Sequence, residues 1–89
     1  MAEARAFINL EDVAIDPSCA MQVSADFAFD RRVLPLCVVG GDLVVAMPDT
    51  SDVKTLAEIR RDLDMPVIGV GTDVRQLERF LSKVYGGVS

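Results

Sequence analysis

The residues of this chain that are capable of chemistry do not form a catalytic set. The 89 residues include no histidine, so the commonest general base at neutral pH and the commonest metal ligand are missing. Asp49 and Asp52 lie where capping side chains are needed, and capping accounts for them. Four serines lack a histidine to activate them, and none lies in a nucleophile-elbow motif: Ser18, Ser24, Ser51 and Ser82. We therefore expect no enzyme activity, no catalytic residues and no metal site.

The glycine-containing segments do not form a nucleotide-binding motif. Gly69-Val70-Gly71 lacks the third glycine of the dinucleotide fingerprint. No Gly-x-x-x-x-Gly-Lys-Ser/Thr stretch is present, so the chain cannot hold ATP by a P-loop. The sequence predicts no cofactor.

Composition restricts the partners and the compartment. The chain has 14 acidic and 9 basic residues, a net charge of −5, which disfavours binding to nucleic acid or to anionic lipid. No apolar run approaches the roughly 18 residues that cross a bilayer, and no signal-peptide pattern is present, so we expect no direct membrane insertion. Cys19 and Cys37 match no metal or redox motif. We interpret them as reduced, partly buried side chains in a cytoplasmic protein, although the sequence leaves a disulfide open.

Two arginine pairs and two phenylalanines are the remaining functional candidates. Arg31-Arg32 and Arg60-Arg61 fall late in predicted helices, where they complement the helix dipole or, alternatively, contact an acidic partner or a phosphate. Phe27 and Phe29 are separated by about 200° around a helix, so both rings cannot enter one core face. Phe27 shares a face with Val23 and is the predicted core residue. Phe29 either packs under the N-terminal segment or stays exposed as a contact anchor. We predict a partner-binding surface at Phe29, Arg31 and Arg32.

A β-hairpin is the strongest local signal among the elements that position these residues. The apolar segments 33–39 and 43–47 are predicted strands, and Gly40-Gly41 between them is a two-residue turn with positive φ available at both positions. Pro35 has no N–H, which favours a sheet edge for the first strand, whereas the unbroken apolar second strand suits the centre of a sheet. A third strand at 67–71 follows a helix, which predicts a right-handed parallel crossover.

Capping residues predict the helices around these strands. Asp16-Pro17 begins a short helix, and Ser24 caps a second helix from Ala25 to about Arg32. The third helix is predicted from Asp52 to about Leu63 with Ser51 as its cap and Asp64 in the left-handed conformation after it, and its apolar stripe is Val53, Leu56, Ala57, Ile59 and Leu63. The last helix is capped by Thr72 or Asp73 and stopped by Gly86-Gly87, and its stripe is Val74, Leu77, Leu81, Val84 and Tyr85.

These elements predict an α/β (α+β) fold in which a small three-stranded mixed sheet is packed with helices. The sheet combines the antiparallel hairpin with the parallel crossover strand. We expect residues 1–89 to form a single domain, with residues 1–6 and 87–89 flexible.

From Phe7 to Tyr85 the order of segments resembles the latter part of the N-terminal domain of type II secretion and type IV pilus-assembly ATPases. The similarity is carried by the opening 7–16, a helix ending in a basic pair, Val33-Leu34-Pro35-Leu36, a glycine turn, Leu43-Val44-Val45-Ala46-Met47, the aspartates Asp49 and Asp52, and the ending Leu81-x-x-x-Tyr85-Gly86. The chain departs from the family at Thr50, where proline is usual, and at 63–66, which replaces a glycine-containing helix end. It also lacks the Arg-Leu-Gly-x-x-Leu motif by which some relatives bind cyclic di-GMP, and it lacks the motor domain.

The resemblance implies a bacterial, non-catalytic interaction or regulatory module. Such a module docks a secretion or pilus-assembly ATPase onto the cytoplasmic part of a membrane-anchored assembly protein, and a motor domain in the same polypeptide is a further expected partner. The resemblance places it in the cytoplasm, recruited to the inner membrane through its partner. Two alternatives remain open. One is a cyclic di-GMP-responsive nucleotide-binding domain, and the other is an accessory domain of a glycosyltransferase or a signalling protein.

Overall fold

A computed structural model describes residues 8–86 of the chain. The elements follow one another as a 3₁₀ helix (Leu10–Asp12), α1 (Pro17–Ala20), α2 (Ala25–Arg31), β1 (Leu34–Val39), β2 (Asp42–Met47), α3 (Val53–Leu63), β3 (Val67–Gly71) and α4 (Val74–Tyr85). The predicted α+β fold is confirmed, and the 3₁₀ helix is an addition to it. The flexible ends predicted at 1–6 and 87–89, and the second glycine of the predicted helix stop, lie outside the described residues.

The three strands form one mixed sheet in the order β1-β2-β3. β1 is antiparallel to β2, and the turn between them has Gly40 at φ 60° and Gly41 at φ 88°, a conformation that glycine adopts without strain. β2 is central and pairs with β3 in parallel. Pro35 lies in the edge strand, as predicted, beside an irregularity in register between Pro35 and Cys37. The hairpin, the edge position of β1 and the parallel crossover strand are therefore confirmed.

Helices cover both faces of the sheet. On one face the strands contribute Leu34, Leu36, Ala46 and Val70, which pack with Leu77, Leu81 and Tyr85 of α4 and with Leu10, Ala20 and Ala28. On the other face Leu43, Val45, Met47 and Val67 pack with Leu56 and Ile59 of α3 and with Cys19 and Val33. The sheet is thus the middle layer, and the chain ahead of β1 contributes to both cores.

Side-chain caps begin each helix, with one correction to the sequence prediction. Asp16 accepts a hydrogen bond from the Ser18 amide, and Ser24 accepts one from the Phe27 amide, as predicted. The prediction of Ser51 as the cap of α3 was wrong. Asp52 accepts the bond from the Thr55 amide. Asp52 is favoured as the cap because its second oxygen also accepts a 2.8 Å hydrogen bond from the Thr55 hydroxyl.

The hydroxyl of Ser51 donates a 2.6 Å bond to Asp49 instead. Of the two candidates for capping α4, Asp73 accepts the Gln76 amide, whereas Thr72 is buried.

Two valines predicted to lie in apolar stripes are exposed. Val53 is 67% and Val74 is 40% exposed. Each is the first residue of its helix. Helical side chains point back toward the N-terminus, and a residue in the first turn has no preceding turn to cover it. Helix α2 is also one residue shorter than predicted, because Arg32 adopts the left-handed conformation at φ 58°.

Candidate functional site

The guanidinium group of Arg31 attaches α2 to α3. It forms an ion pair of 3.0 Å with Glu58 and donates a 3.3 Å hydrogen bond to the hydroxyl of Thr55, both on α3. Its Nε lies 3.3 Å from the carboxylate of Asp30, and the group lies over the Phe27 ring at 5.3 Å from the centroid. Because contacts of several kinds converge on one planar group, Arg31 holds α2 in a defined orientation.

Arg32, at the same C-terminal end of α2, attaches the helix to α4. As the C-cap residue in the left-handed conformation, it directs its guanidinium to Glu78, with Nη1 2.6 Å from Oε2. Both side chains are exposed to water, so the pair is screened and contributes orientation more than stability. The two adjacent arginines thus reach in different directions, one to each neighbouring helix.

Among the aromatic side chains of residues 8–86, Phe29 is the most exposed to solvent. It is 42% exposed. Its ring contacts Tyr85 of α4 edge to face, with the centroids 6.1 Å apart and the planes at 62°. The Tyr85 hydroxyl donates a 2.6 Å hydrogen bond to the backbone carbonyl of Ala20. Burial of that hydroxyl raises the pKa of Tyr85 to about 12. Phe29 therefore rests on a fixed, buried ring while its outer side stays accessible.

A second large apolar side chain follows Ala20 directly. Met21 is the C-cap of α1 and is 57% exposed. We call Met21, Phe29, Arg31 and Arg32 the α2 surface. The sequence prediction included the last three and missed Met21. Its position just after a four-residue helix was the only signal available.

Of the remaining candidates from the sequence, Arg60 and Cys19 make contacts within the fold, and Arg61 is exposed. Arg60 donates a 3.4 Å hydrogen bond to the carbonyl of Val67 across the α3–β3 connection. Cys19 and Cys37 are free thiols. Burial raises the pKa of the Cys19 thiol, and the Asp16 carboxylate and Cys37 raise it further, so this thiol stays protonated and is a poor nucleophile.

An open cleft of about 600 Å³ lies between the chain around the 3₁₀ helix and the start of α4, lined by Ile8, Asn9, Asp73, Arg75, Gln76 and Arg79. Its amide side chains are already paired. Gln76 donates a 2.8 Å bond to Asn9 and accepts one of 2.8 Å from the Leu10 amide. These bonds fix the 3₁₀ helix on α4.

The described residues 8–86 provide neither a metal-binding cluster nor a membrane-spanning helix. No group of three or more histidine, cysteine, aspartate or glutamate side chains there is arranged to hold a metal ion. None of the described helices has the length and apolar character required to cross a bilayer.

Comparison with known proteins adds to this geometry. The profile of the MshEN domain family matches residues 4–89. A structure of MshE with cdg aligns at a TM-score of 0.80 and 22% identity, covering 91% of this chain and 59% of that one. The N-terminal domain of XpsE aligns at a TM-score of 0.76 and 13% identity, covering 91% of this chain and 57% of that one. The chain thus spans less than two thirds of either structure, and at these identities the likeness shows the fold. No curated protein matches the sequence.

Proposed function

Because the chain belongs to the MshEN domain family, we propose that it is a non-catalytic interaction module that docks a secretion or pilus-assembly ATPase onto a membrane-anchored assembly protein. The resemblance predicted from the segments between residues 7 and 85 is confirmed by the MshEN family match, and MshE and XpsE are among the structural neighbours. The proposal adds a role for the α2 surface. It places the module in the cytoplasm of a bacterium, recruited to the inner membrane through its partner and linked to a motor domain in the same polypeptide.

The observation that carries the proposal is an exposed aromatic ring on a rigid support. Phe29 is 42% exposed, although its inner edge rests on the buried Tyr85 ring. Aromatic side chains dominate binding energy at protein interfaces, and a side chain that is already ordered loses little entropy on binding. Met21, which follows Ala20 in the chain, is a second exposed apolar side chain.

Arg31 and Arg32 contribute in two ways to the proposed surface. Their ion pairs with Glu58 and Glu78 hold α2 against both neighbouring helices, which fixes the position of Phe29. The guanidinium groups also supply hydrogen-bond donors to a partner. We propose that the cytoplasmic part of the assembly protein contacts these three side chains together.

The test is a capture experiment with matched baits. The wild-type chain, Phe29→Ala and Val53→Ala are tagged and exposed to detergent-solubilised membrane proteins of a bacterium that encodes the chain. Val53 is the control because it is an exposed apolar residue on α3, outside the α2 surface. We expect wild type and Val53→Ala to capture a secretion or pilus assembly protein and Phe29→Ala to lose it, with circular dichroism confirming that all three baits are folded.

The other outcomes each reject a defined part of the proposal. Equal capture by Phe29→Ala would keep the docking role and reject the α2 surface. A glycosyltransferase or a signalling complex in place of any assembly protein would reject the docking role and favour an accessory domain of such a protein.

A second candidate function is a cyclic di-GMP-responsive nucleotide-binding domain. It is favoured by the likeness to the MshE structure that was solved with cdg. The absence of the Arg-Leu-Gly-x-x-Leu motif weighs against it. Calorimetric titration of the chain with cyclic di-GMP separates the candidates, because measurable heat with saturation supports nucleotide binding and its absence rejects it.

A further inference from the structure

We propose that the α2 surface accepts a cationic amphipathic segment, with an apolar side chain set against Phe29 and Met21 and with lysine or arginine beside it. This inference rests on the proposed docking function and specifies the chemistry of the partner. It comes from the charges that the fold leaves available around the aromatic ring.

The positive charges of the surface are compensated within the chain. The Arg31 guanidinium is 3.0 Å from Glu58 and 3.3 Å from Asp30, and that of Arg32 is 2.6 Å from Glu78. A partner carboxylate that approached either arginine would have to displace one of these acidic side chains or be repelled by it. Like charges brought together at an interface oppose association, so an acidic partner is disfavoured.

The negative charges of the same surface are in excess. Asp26 and Asp30 are one helical turn apart on α2, and Asp26 is three residues from Phe29, so the Asp26 carboxylate shares a helix face with the ring. Asp26 is exposed, and the Asp30 side chain is 78% exposed in spite of its contact with Arg31.

On α2 and its ion-paired partners the two guanidinium groups are thus outnumbered by four carboxylates, those of Asp26, Asp30, Glu58 and Glu78. The net charge of the whole chain is also negative, at −5. The other cation near the end of α4, Lys83, lies over the Phe80 ring at 5.2 Å. Helix α2 therefore combines the exposed Phe29 with an excess of carboxylates on the helix and its ion-paired partners, which is complementary to an apolar side chain flanked by basic ones.

The test uses two synthetic helical peptides with the same leucine and tryptophan positions, one with lysine and the other with glutamate at every charged position. Binding to the full chain is followed by fluorescence anisotropy, and the site is located from backbone amide NMR shifts. We expect the lysine peptide to bind, with shifts concentrated at residues 21–32, and its affinity to fall as salt is raised. The glutamate peptide should bind at least about tenfold more weakly.

Neutral variants separate charge from fold. Asp26→Asn combined with Asp30→Asn should weaken binding of the lysine peptide about three- to tenfold, because two exposed ion pairs are lost. The control is Asp12→Asn combined with Asp62→Asn, which changes the charge equally at exposed positions outside α2 and should leave the affinity unchanged.

Several results would overturn the inference. They are failure of the lysine peptide to bind, equal or tighter binding of the glutamate peptide, an equal loss in the control variant, and shifts located away from α2. Phe29→Ala distinguishes the two levels of the proposal. If this variant loses the assembly protein while the peptides show no charge preference, the docking function stands and the cationic partner is rejected. If the lysine peptide binds at α2 but no assembly protein is captured, the surface chemistry stands and the docking function is rejected.

Discussion

The hydroxyl of Tyr85, in the last turn of α4, donates a 2.6 Å hydrogen bond to the backbone carbonyl of Ala20, the last residue of α1. The two residues are 65 positions apart in the chain. The Tyr85 ring also supports Phe29 of α2. One side chain of α4 therefore holds α1 and α2 together.

Because Tyr85 is the sole tyrosine of the chain, its ionisation can be followed directly. Burial raises its pKa from 10.0 to about 12 in the folded protein. We expect tyrosinate absorbance to appear near pH 12 in the native chain and near pH 10 after unfolding in denaturant. A native titration that coincides with the denatured one would show that the hydroxyl is not buried.

The raised pKa of Tyr85 also makes the free energy of unfolding depend on pH. Since the folded pKa lies above the unfolded one, the contribution of Tyr85 is complete below about pH 10 and is lost as pH rises through about 12. Tyr85→Phe should lose about 1 kcal/mol of unfolding free energy at neutral pH, because the carbonyl of Ala20 loses its donor. The difference between wild type and Tyr85→Phe should narrow between pH 10 and 12 in denaturant titrations. A difference in unfolding free energy that stays constant over this pH range would contradict the raised pKa of Tyr85.

Gly69 and Gly86 should respond in opposite ways to replacement by alanine. A Cβ at Gly69 would lie 2.8 Å from the Met47 sulfur and 3.2 Å from Leu56, both in the core, whereas at Gly86 the nearest atom is 3.8 Å away. Gly69→Ala should cost about 1–3 kcal/mol through overpacking. Gly86→Ala should be neutral or slightly stabilising, since its φ of −71° suits alanine. Thermal unfolding of the two variants checks this, and equal effects would mean that the space at Gly69 is larger than described.

The cap of α3 can be tested by two neighbouring substitutions. Asp52→Ala should cost about 1–2 kcal/mol, because the Thr55 amide and the Thr55 hydroxyl both lose their acceptor. Ser51→Ala removes only an exposed bond to Asp49 and should cost less than about 0.5 kcal/mol. Denaturant unfolding measures both, and the reverse order would restore Ser51 as the cap.

Arg32 should tolerate glycine better than alanine. Both substitutions remove the ion pair with Glu78, but only glycine adopts the left-handed conformation at φ 58° without a Cβ penalty. Arg32→Gly should therefore be about 1 kcal/mol more stable than Arg32→Ala. Asp64, at φ 54°, provides a second position for the same comparison. If alanine equals glycine at both positions, these residues are not left-handed in solution.

The elements that could be predicted from the sequence are those whose signals are local. The glycine turn, the edge position of Pro35 and the left-handed Asp64 depend on the conformational preferences of single residues, and each is confirmed. The cap of α3 was misplaced by one residue because Ser51 and Asp52 are both good capping residues, and the choice depends on the Thr55 hydroxyl. Helical spacing alone also does not show that Val53 begins its helix and stays exposed.

The environment of the α2 surface could not be predicted in the same way. Spacing around a helix was enough to separate Phe27 from Phe29, and the ring of Phe29 is the more exposed of the two. The partners of the arginines are on other helices, with Glu58 separated from Arg31 by 27 positions. Which carboxylate reaches which guanidinium is decided by the packing of α3 and α4 on the sheet, and no pattern near Arg31 or Arg32 encodes it.

The position of Tyr85 in the chain has a consequence for synthesis. The ribosome makes Ala20 and Phe29 first and then the whole sheet, and only then the tyrosine that holds them together. A nascent chain that has reached only β3 has neither the support for Phe29 nor the acidic partner of Arg32, because both belong to α4. During translation the α2 surface therefore reaches its final contacts only after all three strands have been synthesised.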